Sequence, residues 1–200
     1  MSEETPKNQN TTDAKKDFIL YIHDVICLLS AMLVLLLLIF RMVIVSGTSM
    51  NMTLLDGDYL LLLSNTFYTE PEYGDIIVVS KDSFDNGTAF VKRVIATEGQ
   101  TVDIDFAAGI VYVDGVALQE DYVNTMTNVP GCMTFPLVVD EGCVFAMGDN
   151  RNISRDSRYP EIGLIDSRQI LGRAIFLLIP GTNTDLDPQP RDFSRIGVIN

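Results

Sequence analysis

Residues 25–45 read VICLLSAMLVLLLLIFRMVIV, and residues 46–54 that follow read SGTSMNMTL. The first run holds no charge until Arg41 and one hydroxyl, Ser30. At roughly 1.5 Å of rise per residue, its length spans a hydrocarbon core of about 30 Å, so Val25–Val45 predicts a transmembrane helix. Arg41 falls one turn from the end, where a long side chain reaches the interface. The competing reading is a cleaved secretory signal. Against it, a mostly polar stretch, residues 1–24, precedes the run, and no small-x-small site closes it. The expected organisation is a tail over 1–24, an anchor over 25–45 and an exported domain over 46–200.

Orientation follows from the flanking cations. Lys7, Lys15 and Lys16 precede the run, and no Lys or Arg occurs between Ser46 and Ser80. That bias places the N-terminus in the cytoplasm and the domain outside. The 200 residues are 47% hydrophobic yet carry a net charge of −13. Residues 46–200 hold 10 basic and 22 acidic side chains, a net −12, so nearly all the acidity is exported. Such a domain has little with which to neutralise phosphates, which argues against nucleic acid as a partner. One His and three scattered Cys leave little for a zinc site, and no metal or cofactor is expected.

After Val45 the pattern changes to short apolar runs broken by turn residues. Asp58–Ser64, Asp75–Lys81, Ala89–Thr97, Thr101–Phe106, Ile110–Asp114, Cys143–Met147 and Gln169–Ile179 predict strands. Asp56-Gly57, Asn86-Gly87 and Asp114-Gly115 are dipeptides that close tight hairpins. No later segment keeps a 3.6-residue apolar period. The expected fold is mostly β, an antiparallel sheet domain on a single N-terminal transmembrane helix. Residues 181–200 are polar and contain proline, except for the closing Ile196-Gly197-Val198-Ile199.

The only histidine, His23, precedes the apolar run, so the exported part has no imidazole for a Ser-His-Asp or Cys-His site. Cys132 and Cys143 read as buried thiols or as a disulfide. Catalysis would rest on hydroxyls, carboxylates or lysine, and the exported lysines are only Lys81 and Lys92. On a strand, Lys92 shares a face with Phe90, Val94 and Ala96. Desolvation there disfavours the ammonium, and a neutral amine can serve as a general base; the bland reading is a strand lysine reaching solvent. Ser49 sits in a Gly-containing turn that exposes a hydroxyl and a backbone N–H, as nucleophilic catalysis needs, although such clusters also mark ordinary loops. A third cluster, Gly148-Asp149-Asn150-Arg151-Asn152-Ile153-Ser154-Arg155-Asp156-Ser157-Arg158, directly follows an apolar run and reads alternatively as a solvated turn.

Together, in this order behind an anchor, these clusters resemble the type I signal peptidases, the membrane-anchored Ser/Lys leader peptidases of bacteria. Ser49-Met50 with Thr53-Leu54 is similar to the family's Ser-Met-x-Pro-Thr-Leu box. Tyr73-Gly74-Asp75-Ile76-Ile77 is similar to its Gly-Asp strand. Lys92-Arg93-Val94-Ile95 with Gly99 matches the lysine box, and Gly148-Asp149-Asn150-Arg151 with Ser154, Asp156-Ser157-Arg158 and Gly163 matches the Gly-Asp-Asn box. The resemblance covers residues 40–180. It implies Ser49 as nucleophile, Lys92 as general base, Ser154 orienting Lys92, an Asp156–Arg158 ion pair in support, and the Ser49 N–H as an oxyanion donor. It implies cleavage of signal peptides from exported preproteins with small residues at −3 and −1, at a lipid bilayer, in the bacterial cell membrane.

Three departures stand out. Met52 occupies the usual Pro position, removing a fixed φ. Thr97-Glu98-Gly99-Gln100 stands for Leu-Pro-Gly-Asp, and Gly47 removes a side-chain oxyanion donor that some members carry. The short stretch 102–142 resembles compact Gram-positive enzymes. The alternative reading is a catalytically dispensable membrane-tethered relative that assists pilus or surface-protein assembly; the presence of both Ser49 and Lys92 argues against it.

Overall fold

The computed structural model describes residues 9–182 and 190–199, with side chains from residue 15. Of the tail expected over 1–24, residues 1–8 with Glu3, Glu4 and Lys7 lie outside the described residues, as do 183–189 and 200 in the C-terminal stretch. The chain divides into two compact units, Met1–Ile39 and Phe40–Asn200. In the first, α1 (Gln9–Ile39) is a single helix of 31 residues. Its stretch Lys15–Ile39 is long and apolar enough to cross a membrane.

The helix therefore ends earlier than the hydropathy pattern implied. Phe40–Ile44, expected as its last turn and a half, is strand β1, in register with β2 (Tyr59–Ser64) from Phe40↔Leu63 to Ile44↔Tyr59. Aromatic and β-branched residues suit either state, and here pairing with β2 decides. Arg41 accordingly sits opposite Leu62 in a sheet rather than at a helix end. The apolar span moves toward the N-terminus, and His23 falls within it.

The second unit is antiparallel throughout. Besides β1 and β2, its large sheet uses β3 (Ile76–Val79), β4 (Phe90–Thr97), β9 (Cys143–Met147), β10 (Ile165–Asp166), β11 (Ile170–Ile179) and β12 (Gly197–Val198). The order is β1-β2-β11-β3-β4-β9-β10, with β12 also on β11. A smaller sheet, β7-β6-β5-β8, is built from β5 (Thr101–Asp105), β6 (Ile110–Val113), β7 (Val116–Ala117) and β8 (Leu137–Val138). Alternation is plain in β2, where Leu60, Leu62 and Ser64 point inward, and in β5, where Val102 and Ile104 do. The central strand β3 is buried along its whole length.

Of the three hairpin dipeptides, only Asp114-Gly115 closes a two-residue turn, between β6 and β7, with φ of 52° and 78°. Those positive values are what a type I′ turn requires. Asp56-Gly57 and Asn86-Gly87 instead lie inside longer connections, and both of those reach the functional site.

Candidate active site

The connection from β1 to β2 carries Ser49. Its base is closed by Val45 N–H to Asp58 O at 2.9 Å and Gly57 N–H to Val45 O at 2.9 Å. Met50 and Leu54, one helical turn apart, are each 1% exposed and enter the core of Leu60, Leu62, Ile76, Val78, Ala174 and Leu177. The bond from Leu54 N–H to Met50 O, 2.9 Å, forms that turn. Burying each such side chain is worth about 1.5–3 kcal/mol, so the apolar neighbours of Ser49 pin its backbone.

Lys92 lies on the half of β4 that pairs only with β3, opposite Ile77. Its Nζ is 2.9 Å from Ser49 Oγ and donates to Val91 O at 2.8 Å. The Phe90 ring centroid is 5.4 Å away, which places Phe90 beside the amine as strand alternation expects. The side chain is 3% exposed. Burial pushes the amine down from 10.5 to about 8; Asp156 and then Asp149 oppose the shift, and Arg158 adds to it. Lys81, the other exported lysine, donates instead to the carbonyls of Ile162 and Leu164.

The Gly148–Arg158 loop closes over this pair. Asn150 N–H donates to Ser49 O at 3.0 Å and Asn150 Nδ2 to Thr48 O at 3.0 Å. Asp149, wholly buried, receives Arg93 through Nε at 2.9 Å and Nη2 at 2.8 Å, together with the Thr53 hydroxyl at 2.5 Å. Arg93 Nη1 donates to Gly74 O at 2.8 Å, and its guanidinium lies 4.0 Å from the Tyr122 ring centroid. Asp149 together with the Arg93 it holds thus ties together all four stretches that the sequence singled out. Asp156 and Arg158 form the expected pair, 2.8 and 2.9 Å, both fully buried, and Gly148 N–H donates to Asp156 at 3.1 Å.

Ser154 departs from expectation. It is 2% exposed, but its Oγ has no hydrogen-bond partner among the described residues. It packs against Gly148, where a Cβ would come within 2.2 Å of that Oγ. The expected bond to Lys92 is therefore not made. Cys132 and Cys143 are both free.

Several participants escaped the sequence reading. Arg93, Arg151 and Tyr122 support the site, with Arg151 gripping Glu120 at 2.5 and 2.6 Å and donating to Gly148 O at 3.2 Å. Arg93 and Arg151 stand inside the lysine and Gly-Asp-Asn stretches; the signal for them is that a buried arginine demands a carboxylate nearby.

Ser46, Thr48, Ser49, Phe84, Phe90, Lys92 and Ile153 are among the residues lining a cleft of about 340 Å³. A hydroxyl facing a buried amine in the lining of a cleft can lose its proton to that amine as it attacks a carbonyl. Among the described residues, no group of three or more His, Cys, Asp or Glu could hold a metal.

Comparison with known proteins gives the class, a serine peptidase and so a hydrolase. The model of the family described as signal peptidase, peptidase S26, matches residues 18–179. The chain is similar to a probable signal peptidase I-1 of Synechocystis sp., 40% identical over 69% of this chain and 70% of that protein. It is similar to signal peptidase I of Bacillus licheniformis, 29% identical over 86% and 94%, and to signal peptidase I T of Bacillus subtilis, 32% over 90% and 96%. The chain belongs to the signal peptidase family, peptidase S26.

Proposed function

We propose that this protein is a membrane-tethered endopeptidase that removes N-terminal signal peptides from preproteins, with Ser49 as nucleophile and Lys92 as general base. The observation that carries the reading is the 2.9 Å approach of a 3%-exposed lysine amine to a loop hydroxyl. With its affinity for protons lowered to about 8, roughly a tenth of the amine is neutral at pH 7, against a few parts in ten thousand for an ordinary lysine. That neutral fraction does the work an imidazole does elsewhere.

Lys92 Nζ takes the Ser49 proton as Oγ attacks the scissile carbonyl, and the Ser49 N–H donates to the developing oxyanion. The ammonium then returns its proton to the leaving amine, and the C–N bond breaks to leave an acyl ester on Ser49. Water, deprotonated by Lys92, attacks the ester; the proton passes back to Ser49 Oγ and the acid product departs. Asp149 and Asn150 hold the nucleophile loop and β4 in register, and the Asp156–Arg158 pair holds the Gly148 turn through its N–H. Ser154 fills the space behind Gly148.

The apolar stretch of α1 is the tether, and the lysines Lys15 and Lys16 on its N-terminal side favour a cytoplasmic N-terminus with the β unit outside. A substrate held by its own apolar signal in the same bilayer presents its cleavage site at the surface, with small residues at −3 and −1 as the preference. The test is cleavage of a preprotein bearing an Ala-x-Ala site in lipid vesicles by wild type, Ser49→Ala and Lys92→Ala. Loss in both variants is expected; undiminished cleavage by either one refutes the dyad.

A further inference from the structure

The closing run Ile196-Gly197-Val198-Ile199 lies beyond the residues that match the family model, 18–179. In the structure it returns to the sheet. β12 pairs with β11 through Leu177↔Gly197 and Phe176↔Val198, and Ile199 N–H donates to Ile175 O at 3.2 Å. Ile199 then packs on the core that contains Met50 and Leu54, the side chains that pin the Ser49 turn.

Arg195, just before this run, reaches the same loop by polar contacts. Its Nη1 donates to Asp58 Oδ1 at 3.0 Å and its Nη2 to Asp58 Oδ2 at 2.8 Å. The same Nη2 donates to Thr53 O at 3.2 Å. Asp58 is wholly buried, also accepts from Leu55 N–H at 2.8 Å and Gly181 N–H at 2.6 Å, and its own carbonyl closes the loop base at Val45. Thr53 is therefore held from two sides, its carbonyl by Arg195 and its hydroxyl by Asp149. Between Thr53 and Ser49 stands Met52, 64% exposed and without the fixed φ of a proline. Arg195 adds to the restraint that Asp149 and the buried Leu54 place on this side of the loop.

We propose that the segment 192–199 is a latch on the nucleophile loop, and that Arg195 is a positioning residue holding Thr53 and Asp58, and through them Ser49, in place against Lys92. The proposal rests on the reading of Ser49 as nucleophile. An arginine suits this task because its fork spans the carboxylate while a third contact reaches the carbonyl; an ammonium is a single point of charge and does not reproduce that geometry.

The test measures kcat, KM and Tm on a preprotein substrate for Arg195→Gln, Arg195→Lys and Val111→Ala, with backbone amide exchange across 50–56. Val111, buried in the small sheet, supplies a stability loss remote from the loop. Arg195→Gln should lower kcat about tenfold beyond Val111→Ala at a matched loss of Tm, with KM within about twofold, since small displacements of reacting groups cost rate rather than affinity. Arg195→Lys should restore Tm by keeping a charge on Asp58, yet leave kcat lowered about fivefold and exchange at 50–56 accelerated. If Arg195→Gln does not fold, Asp58→Asn/Arg195→Gln removes both charges together and should show the same kcat loss. A kcat that follows Tm through the series, or wild-type kcat in Arg195→Lys, overturns the latch. Unchanged exchange at 50–56 overturns the latch alone, whereas cleavage by Ser49→Ala overturns the dyad and the latch with it.

Discussion

Gly148→Ala converts the geometry of the site into a rate. An added Cβ would lie 2.2 Å from Ser154 Oγ, 2.5 Å from Ser154 Cβ and 2.4 Å from Ser49 O. Ser154 can turn its hydroxyl aside but not its Cβ, which is fixed to the main chain. The Ser49 carbonyl cannot, because it is main chain and accepts the Asn150 N–H at 3.0 Å. Ordinary contact for a Cβ begins at 3.4 Å, so this carbonyl must retreat about 1 Å, carrying the Ser49 Cα and Oγ with it. Misplacing a reacting group by about 1 Å costs roughly a hundredfold in rate, or about 2.7 kcal/mol of barrier. The overpacking itself costs about 1–3 kcal/mol of stability, so the protein still folds. The assay is kcat for preprotein cleavage in detergent micelles beside Tm by circular dichroism. We expect kcat down about a hundredfold with a modest fall in Tm, and no rescue of kcat by Ser154→Gly, which removes both Ser154 contacts but leaves the one with the Ser49 carbonyl. A Gly148→Ala enzyme within threefold of wild-type kcat would refute the placement of Gly148 against the Ser49 backbone.

Two further outcomes follow from the buried charges. Asp149→Asn leaves the Arg93 guanidinium buried with no carboxylate, a loss of about 3–5 kcal/mol that should appear as a fall in Tm on the order of 10 °C, together with loss of cleavage. Lys92→Met should abolish cleavage and raise stability at neutral pH. The folded protein binds the Lys92 proton less tightly than the unfolded chain, about 8 against 10.5, so its burial costs about 3 kcal/mol below pH 8. That cost is relieved as pH climbs from about 8 toward 10.5, so wild-type stability rises through this window while that of Lys92→Met does not; parallel pH–stability curves would count against a buried Lys92.

The parts of this fold that were legible in the sequence are those with local causes. Short apolar runs between turn residues marked β2 and β5, and of the three dipeptides that favour tight turns Asp114-Gly115 marked a hairpin because its positive φ values need only local chemistry. Lys92 stood out because it was nearly alone, in an acidic domain, on an apolar strand. Ser49 was legible only in combination with the other motifs, since its turn resembles many loops. What stayed hidden depends on distant partners. The helix ends at Ile39 because Phe40–Ile44 finds β2, which the apolar run alone does not reveal. Asp58 and Arg195, 137 residues apart, gave no sign of one another. Ser154 was assigned to Lys92 by resemblance, whereas its placement follows from Gly148, whose missing Cβ leaves room for its side chain.

Burial is proposed to make Lys92 a base at physiological pH. Titration of the Lys92 Nζ resonance in ¹⁵N-lysine-labelled protein, with Lys81 assigned through Lys81→Arg, measures this directly. The expected midpoint is about 8, coinciding with the rising limb of kcat/KM against pH. A Lys92 midpoint near 10.5, or a kcat/KM limb that does not follow the Lys92 titration, would contradict it.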